Sequence, residues 1–407
     1  MSALRRIPPA WIVLAVLAIL LYAVAPAALS GFRLALLGKY LCYAIVAVGI
    51  GLAWGRGGML VLGQGVFFGL GAYLMAMHLK LADAGPGRAP DFMSLYGSGV
   101  VPDWWEPFRS PVVTILAILL LPAALAVVLG LAIFRRRVRG AYFAILSQAL
   151  AAAFAILLVG QQATTGGTNG LNGFRSFFGY ALSDPINQRM LFSIAATALL
   201  LLLLLTWQLY RSRFGELLVA VRDAEERVRF LGYNPANVKL VAYAVAAFAA
   251  GIGGALFVPI VGIVSPADVG IVPSIAFLTG VAIGGRAALF GPAIGAVAVA
   301  AAQTRLSEQF PGFWTYFQGA LFVLVIAFLP NGLASLRDVW RRRRGEAPVS
   351  AAAVAGDPAA AGAVELAGAD AAEEGSAAAP GEQPDTTGRT GRTGHTGHSD
   401  ELEGATR

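Results

Sequence analysis

Charge is what this chain has least of. Aspartate, glutamate, lysine and arginine make up 13% of its 407 residues, against about 25% in an ordinary soluble domain. That deficit excludes a water-facing surface over most of the chain. Cysteine is nearly absent: the single Cys42 excludes an intramolecular disulfide and a cysteine-based metal cage. Three histidines make a poor metal site. His78 sits near the end of a hydrophobic segment, and His395 and His398 lie in a glycine- and threonine-rich tail. The phosphate loop Gly-x-x-x-x-Gly-Lys-[Ser/Thr] is missing, so ATP, if used, is bound by a partner. The chain also lacks a Gly-x-Ser-x-Gly elbow and a His-Glu-x-x-His pair. Acidic residues are almost absent from the apolar runs. A proton-coupled carrier or rotary device would need buried carboxylates or histidines, and an intramembrane enzyme would need a nucleophile–base or metal constellation that the sequence does not offer.

Hydrophobic residues supply 57% of the sequence, and they come in blocks such as 11–29, 112–134 and 191–209. About 20 apolar residues in a helix cross a hydrocarbon core about 30 Å thick, and helices satisfy their own backbone there. The expected fold is therefore an all-α, polytopic membrane helix bundle. The spans fall at 11–29, 40–54, 60–79, 112–134, 142–159, 191–209, 240–260, 271–285, 289–302 and 313–329, about ten in all. Arg5 and Arg6 lead into a full-length span without a small-residue cleavage signal, so the first block is read as a helix, not a removable leader.

The net charge of +7 would suggest nucleic acid in a soluble protein. Here the cations sit where topology places them, and no nucleic-acid partner is expected. Lysine and arginine favour the cytoplasmic side of short loops. With Arg5 and Arg6 inside, alternation puts Arg56, the Arg135-Arg136-Arg137-Val138-Arg139 cluster, the loop 211–239, Arg286 and Arg341 to Arg344 on the same side. Both termini are then cytoplasmic. Two longer outer loops follow: 82–110, with the interfacial pair Trp104-Trp105, and 161–188, rich in glycine, threonine and asparagine. Residues 1–344 are read as the membrane domain and 345–407 as a disordered cytoplasmic tail without the apolar mass to fold.

Seven glycines, at 55, 57, 58, 63, 65, 69 and 71, crowd the start of the third span. Each costs a helix roughly 1 kcal/mol against alanine. They allow close helix packing, or a broken segment whose freed backbone faces a solute path. Gly63, Gln64, Gly65 and Phe67 are the candidates there, Gln64 offering an amide. Thr168, Asn169 and Asn172 suit an uncharged polar mouth or an ordinary turn-rich loop. In 211–239, Leu217, Leu218, Val221 and Ala224 recur at helical spacing against Arg213, Glu216, Arg222, Asp223 and Glu226. Gly232 and Pro235 are read as the stop of that amphipathic helix.

Four stretches carry a family pattern. They are Leu41-Cys42-Tyr43 through Gly49 with Trp54-Gly55-Arg56-Gly57-Gly58 through Tyr73; Thr168-Asn169-Gly170-Leu171-Asn172-Gly173; Ser212-Arg213-Phe214-Gly215-Glu216 through Glu225 with Phe230-Leu231-Gly232-Tyr233; and Gly284-Gly285-Arg286 through Gly291-Pro292. This resembles the branched-chain amino acid and urea branch of ABC importer permeases, from about residue 37 to 336. Within it the chain is most similar to the second permease subunit of urea transporters, through Pro90-Asp91-Phe92-Met93, Ala220-Val221-Arg222-Asp223 and Arg229-Phe230-Leu231-Gly232-Tyr233. Gln64 stands where urea members carry histidine, and Val61 where they carry serine.

The resemblance implies a type II importer-like permease without an ATPase site or cofactor of its own, in the bacterial inner membrane. It implies a homologous second permease subunit, ATP-binding cassette subunits and an extracytoplasmic solute-binding protein as partners. It assigns docking on the ATPase to the stretch holding Phe214, Gly215, Glu216, Leu218, Arg222, Asp223 and Gly232. The solute the resemblance implies is urea or a related small amide, with a branched-chain amino acid as the alternative. The shortage of buried charge leans toward urea. A stand-alone channel or secondary carrier is the reading from another class.

Overall fold

The computed structural model describes residues 9–138 and 140–310, with 313, 316–317, 319–321 and 323–324. Contacts divide the chain into Met1–Trp340 and Arg341–Arg407. The second unit, the tail from 345, both termini and most of the expected span 313–329 lie outside the described residues.

The chain is a polytopic membrane helix bundle. Among the described residues eight helices are long and apolar enough to cross a membrane. In chain order the main helices are α1 (Ala10–Ala28), α2 (Gly31–Arg56), α3 (Gln64–Ala84), α4 (Pro111–Arg135), α5 (Ala141–Gly160), α6 (Pro185–Arg211), α7 (Arg213–Phe230), α8 (Pro235–Val261), α9 (Ile271–Gly284) and α10 (Gly291–Gln309). The expected span 289–302 is α10, a helix whose last turns are polar, with Gln303, Thr304, Arg305, Ser307 and Glu308. The expected third span starts late. Residues 57–63 are not helical, and α3 opens only at Gln64. α2 ends in a π-helical turn, Gly51–Arg56, a distortion common at functional sites.

α8 is the centre of the bundle, packed on α2, α3 and α4. Small residues make that possible. Side chains added at Gly71 of α3 or Gly254 of α8 would run into the facing backbones, at Gly251 and Phe68 respectively. Without a hydrophobic force between helices in lipid, such close backbone approach is what binds them. Pro122 interrupts α4 and withdraws the N–H that the Ile118 carbonyl would accept. Gly251 lies against both the proline ring and that carbonyl.

One end of the bundle stacks three arginines on aromatic rings. The Arg56 guanidinium lies 4.3 Å from the Tyr210 ring, Arg286 5.3 Å from Trp54, and Arg211 5.0 Å from Trp207. The other end is tied by short pairings. β1 (Leu171–Asn172) pairs antiparallel with β4 (Ile263–Val264), and β2 (Ser176–Phe177) with β3 (Tyr180–Ala181). Asp83 accepts from the backbone N–H of Arg175 (2.7 Å) and the hydroxyl of Ser176 (2.7 Å). His78 is buried with Nδ1 2.7 Å from the Phe108 carbonyl, a fastening of the loop 82–110.

Candidate coupling face and translocation segment

α7 is a long helix outside the eight candidate spans and lies between two of them, α6 and α8. Ser212 caps it, its hydroxyl accepting from the Gly215 N–H at 3.4 Å. Its apolar edge is real, but it faces inward. Leu218 and Val221 are buried in the chain's own core, and Gly215 is buried against the end of α6. The expectation of apolar residues free to enter a partner's cleft therefore fails for Leu218. Phe214 is half-buried and Glu216 exposed. α7 is also not one straight helix: Ala224 has φ −148° and ψ 64°, a kink in mid-run. Beyond the kink, Glu225 accepts from Lys239 of α8 at 2.7 Å. Gly232 (φ +88°) ends the helix, while Pro235 opens α8 behind the Asn234 cap instead of helping to stop α7.

The first half of α7 is pinned to the break between α2 and α3. Arg222 Nη1 donates to the Gly55 carbonyl at 2.9 Å, and its stem lies against Gly58, whose φ of +68° suits glycine. Leu218 approaches Gly57 in the same way. On the other flank of the break, Gly55 touches the Arg286 backbone and Gly51 touches Pro292. Three of the four motif stretches thus meet at one end of the bundle. A cavity of about 420 Å³ opens beside them, lined by Met59, Leu60, Phe134, Phe143, Val221 and Arg222 among others. Arg222 also holds Asp223 through Nε–Oδ1 (2.7 Å) and Nη2–Oδ2 (3.1 Å). The hydrogen bond pushes the Asp223 carboxyl below the ordinary carboxylate range and the guanidinium up.

The break leads straight into Gln64. Gln64 is fully buried, and neither its amide oxygen nor its nitrogen has a partner. Such groups in a native fold call for a reason. Around it, the Leu62 N–H donates to Ser147 Oγ (3.2 Å) and the Gly65 N–H to Ser274 Oγ (3.1 Å). Gly63 lies against the Ser147 backbone, and the neighbouring Gln148 also has an amide oxygen without a partner. Phe67 is buried, edge-on to Tyr243 at 5.4 Å, and serves packing.

Thr168, Asn169 and Asn172 are exposed and do not join Gln64. The two groups sit on either side of one short stretch, 263–270. Gly170 lies against the backbone of Val264 and Ser265, and Gly65 and Gly69 lie against Val269.

Phe230, Leu231 and Tyr233, part of the motif at the end of the expected docking stretch though not among its named candidates, are 90%, 76% and 56% exposed. Lys39, inside α2, was hidden by the apolar run around it; its ammonium lies 5.8 Å from the Tyr43 ring.

Residues 32–326 match the family described as branched-chain amino acid transport system / permease component. Two curated relatives are each named as a high-affinity branched-chain amino acid transport system permease protein LivM. That of Escherichia coli (strain K12) is 28% identical over 313 residues, covering 72% of this chain and 67% of the relative. That of Salmonella typhimurium is 28% identical over 330 residues, covering 75% and 71%. No solved structure matches.

Proposed function

Since the chain belongs to the branched-chain amino acid transport system permease family, we propose that it is a membrane subunit of an ATP-driven ABC importer for branched-chain amino acids. It pairs with a second permease subunit, receives solute from an extracytoplasmic binding protein, and is driven by two ATP-binding cassette subunits. The bundle lies in the bacterial inner membrane, with α7 and the cationic end in the cytoplasm and both termini inside.

The observation that carries the ATP-driven reading is the exposed lip Phe230, Leu231 and Tyr233 at the end of a polar, non-spanning helix. Aromatic anchors with a polar rim are the anatomy of a protein interface. A channel or secondary carrier acting alone has no need of such a lip. Behind the lip, α7 is locked to the glycine break by Arg222. Motion of the ATPase thus reaches residues 57–63, then Gln64, the candidate gate of the path with Gly63 and Gly65.

For the solute, the names of both relatives favour an amino acid over urea, and so does Lys39, a cation at membrane depth. Urea is the second reading, supported by the residue pattern at 90–93 and 229–233. The test is copurification of the permease with its ATPase, followed by uptake of labelled leucine and labelled urea in cells carrying the complete transporter. Absence of a bound ATPase would overturn the importer reading; urea uptake without leucine uptake would overturn the solute.

A further inference from the structure

Lys39 lies eight residues into α2, which runs from Gly31 as 26 apolar-rich residues. At 1.5 Å per residue that is about 12 Å along the helix. Its side chain is only half-buried, and no carboxylate pairs with it among the described residues. Ionisable groups within spans face the bundle interior or a watery cavity, not hydrocarbon. Snorkelling would carry the amine back toward the Gly31 end. Instead the ammonium stays 5.8 Å from Tyr43, one turn deeper.

The neighbouring surface is also polar. Tyr40, one position on, donates its hydroxyl to Thr304 Oγ1 of α10 at 2.8 Å. Past Thr304, α10 exposes Arg305 and Glu308. Lipid contact does not explain this seam. Tyr43 in turn edges an aromatic cluster, 5.3 Å from Phe277 and 5.8 Å from Phe257. A cation beside aromatic carbon is a match for a carboxylate that carries an apolar side chain.

We propose that the seam of α2 and α10 borders the solute path, and that the Lys39 ammonium receives the α-carboxylate of an apolar amino acid as it passes Tyr43. This rests on the amino acid reading above.

The test uses the complete transporter in vesicles, in a Cys42→Ala background. Lys39→Gln should lower leucine uptake at saturating binding protein roughly tenfold, the scale of one hydrogen bond to a charged group. ATP hydrolysis stimulated by the binding protein should persist, and Lys39→Arg should recover most uptake. Lys39→Cys should react with a water-soluble aminoethyl thiol reagent, which rebuilds an ammonium, and uptake should return on modification. Leucine should slow that reaction. A Cys at 39 that stays unreactive faces lipid or the second permease, and overturns the proposal. So does wild-type leucine uptake by Lys39→Gln. If the unmodified transporter carries urea and no leucine, the reading beneath it fails instead.

Discussion

Replacing Arg222 with alanine removes the hydrogen bond that ties α7 to the break between α2 and α3. Three bonds go: one to the Gly55 carbonyl at 2.9 Å and two to Asp223. The Asp223 pair lies in solvent and contributes little. A charge-assisted bond to a buried carbonyl contributes about 1.5–3 kcal/mol. With 34% of the Arg222 side chain exposed, screening favours the low end, about 1.5 kcal/mol. Leu218 and Val221 stay buried, so α7 stays seated and the bundle inserts normally. What is lost is stiffness between the helix that takes the push and the strip that leads to Gln64. Arg222→Ala should therefore bind its ATPase and hydrolyse ATP, yet import less solute per ATP. Arg222→Lys, which reaches Gly55 but lacks the fork to Asp223, should be intermediate. The assay is uptake and hydrolysis measured together in reconstituted vesicles. An unchanged ratio in Arg222→Ala would refute a mechanical role for the pin.

Polar replacement of Phe230, Leu231 and Tyr233 should weaken ATPase binding by at least about 2 kcal/mol, roughly thirtyfold, if they are interface anchors; pull-down titration reads this directly. Gln64→Leu removes a buried amide without partners, so it should leave thermal stability unchanged or raised while slowing uptake; a stability loss with normal uptake would make Gln64 a packing residue. Gly254→Val should destabilise the α3–α8 contact by about 1–3 kcal/mol or more, since its neighbour is backbone; unfolding in detergent checks it.

The spans were legible because lipid demands long apolar runs, and composition alone shows them. Detail inside the runs was not. Glycines 55 to 71 serve both a break and helix packing, and sequence cannot divide them; in the structure 57–63 break the helix, whereas Gly71 packs on α8. The α7 edge was legible as amphipathic, but an amphipathic edge does not say what covers it. Here the chain itself covers Leu218. The kink at Ala224 has no signal in residue type, because alanine favours helix. Tertiary anchors on either side, Arg222 to Gly55 and Glu225 to Lys239, accompany it. Gln64 was legible as a lone amide in an apolar stretch; that it lacks any partner is visible only in three dimensions.

Import of a branched-chain amino acid through this subunit, driven by ATP, is to be measured as accumulation of labelled leucine in vesicles holding the purified permease pair, the ATP-binding subunits and the solute-binding protein. Leucine should accumulate above the outside concentration only when ATP and binding protein are both present. Leucine that only equilibrates, with or without ATP, would contradict it.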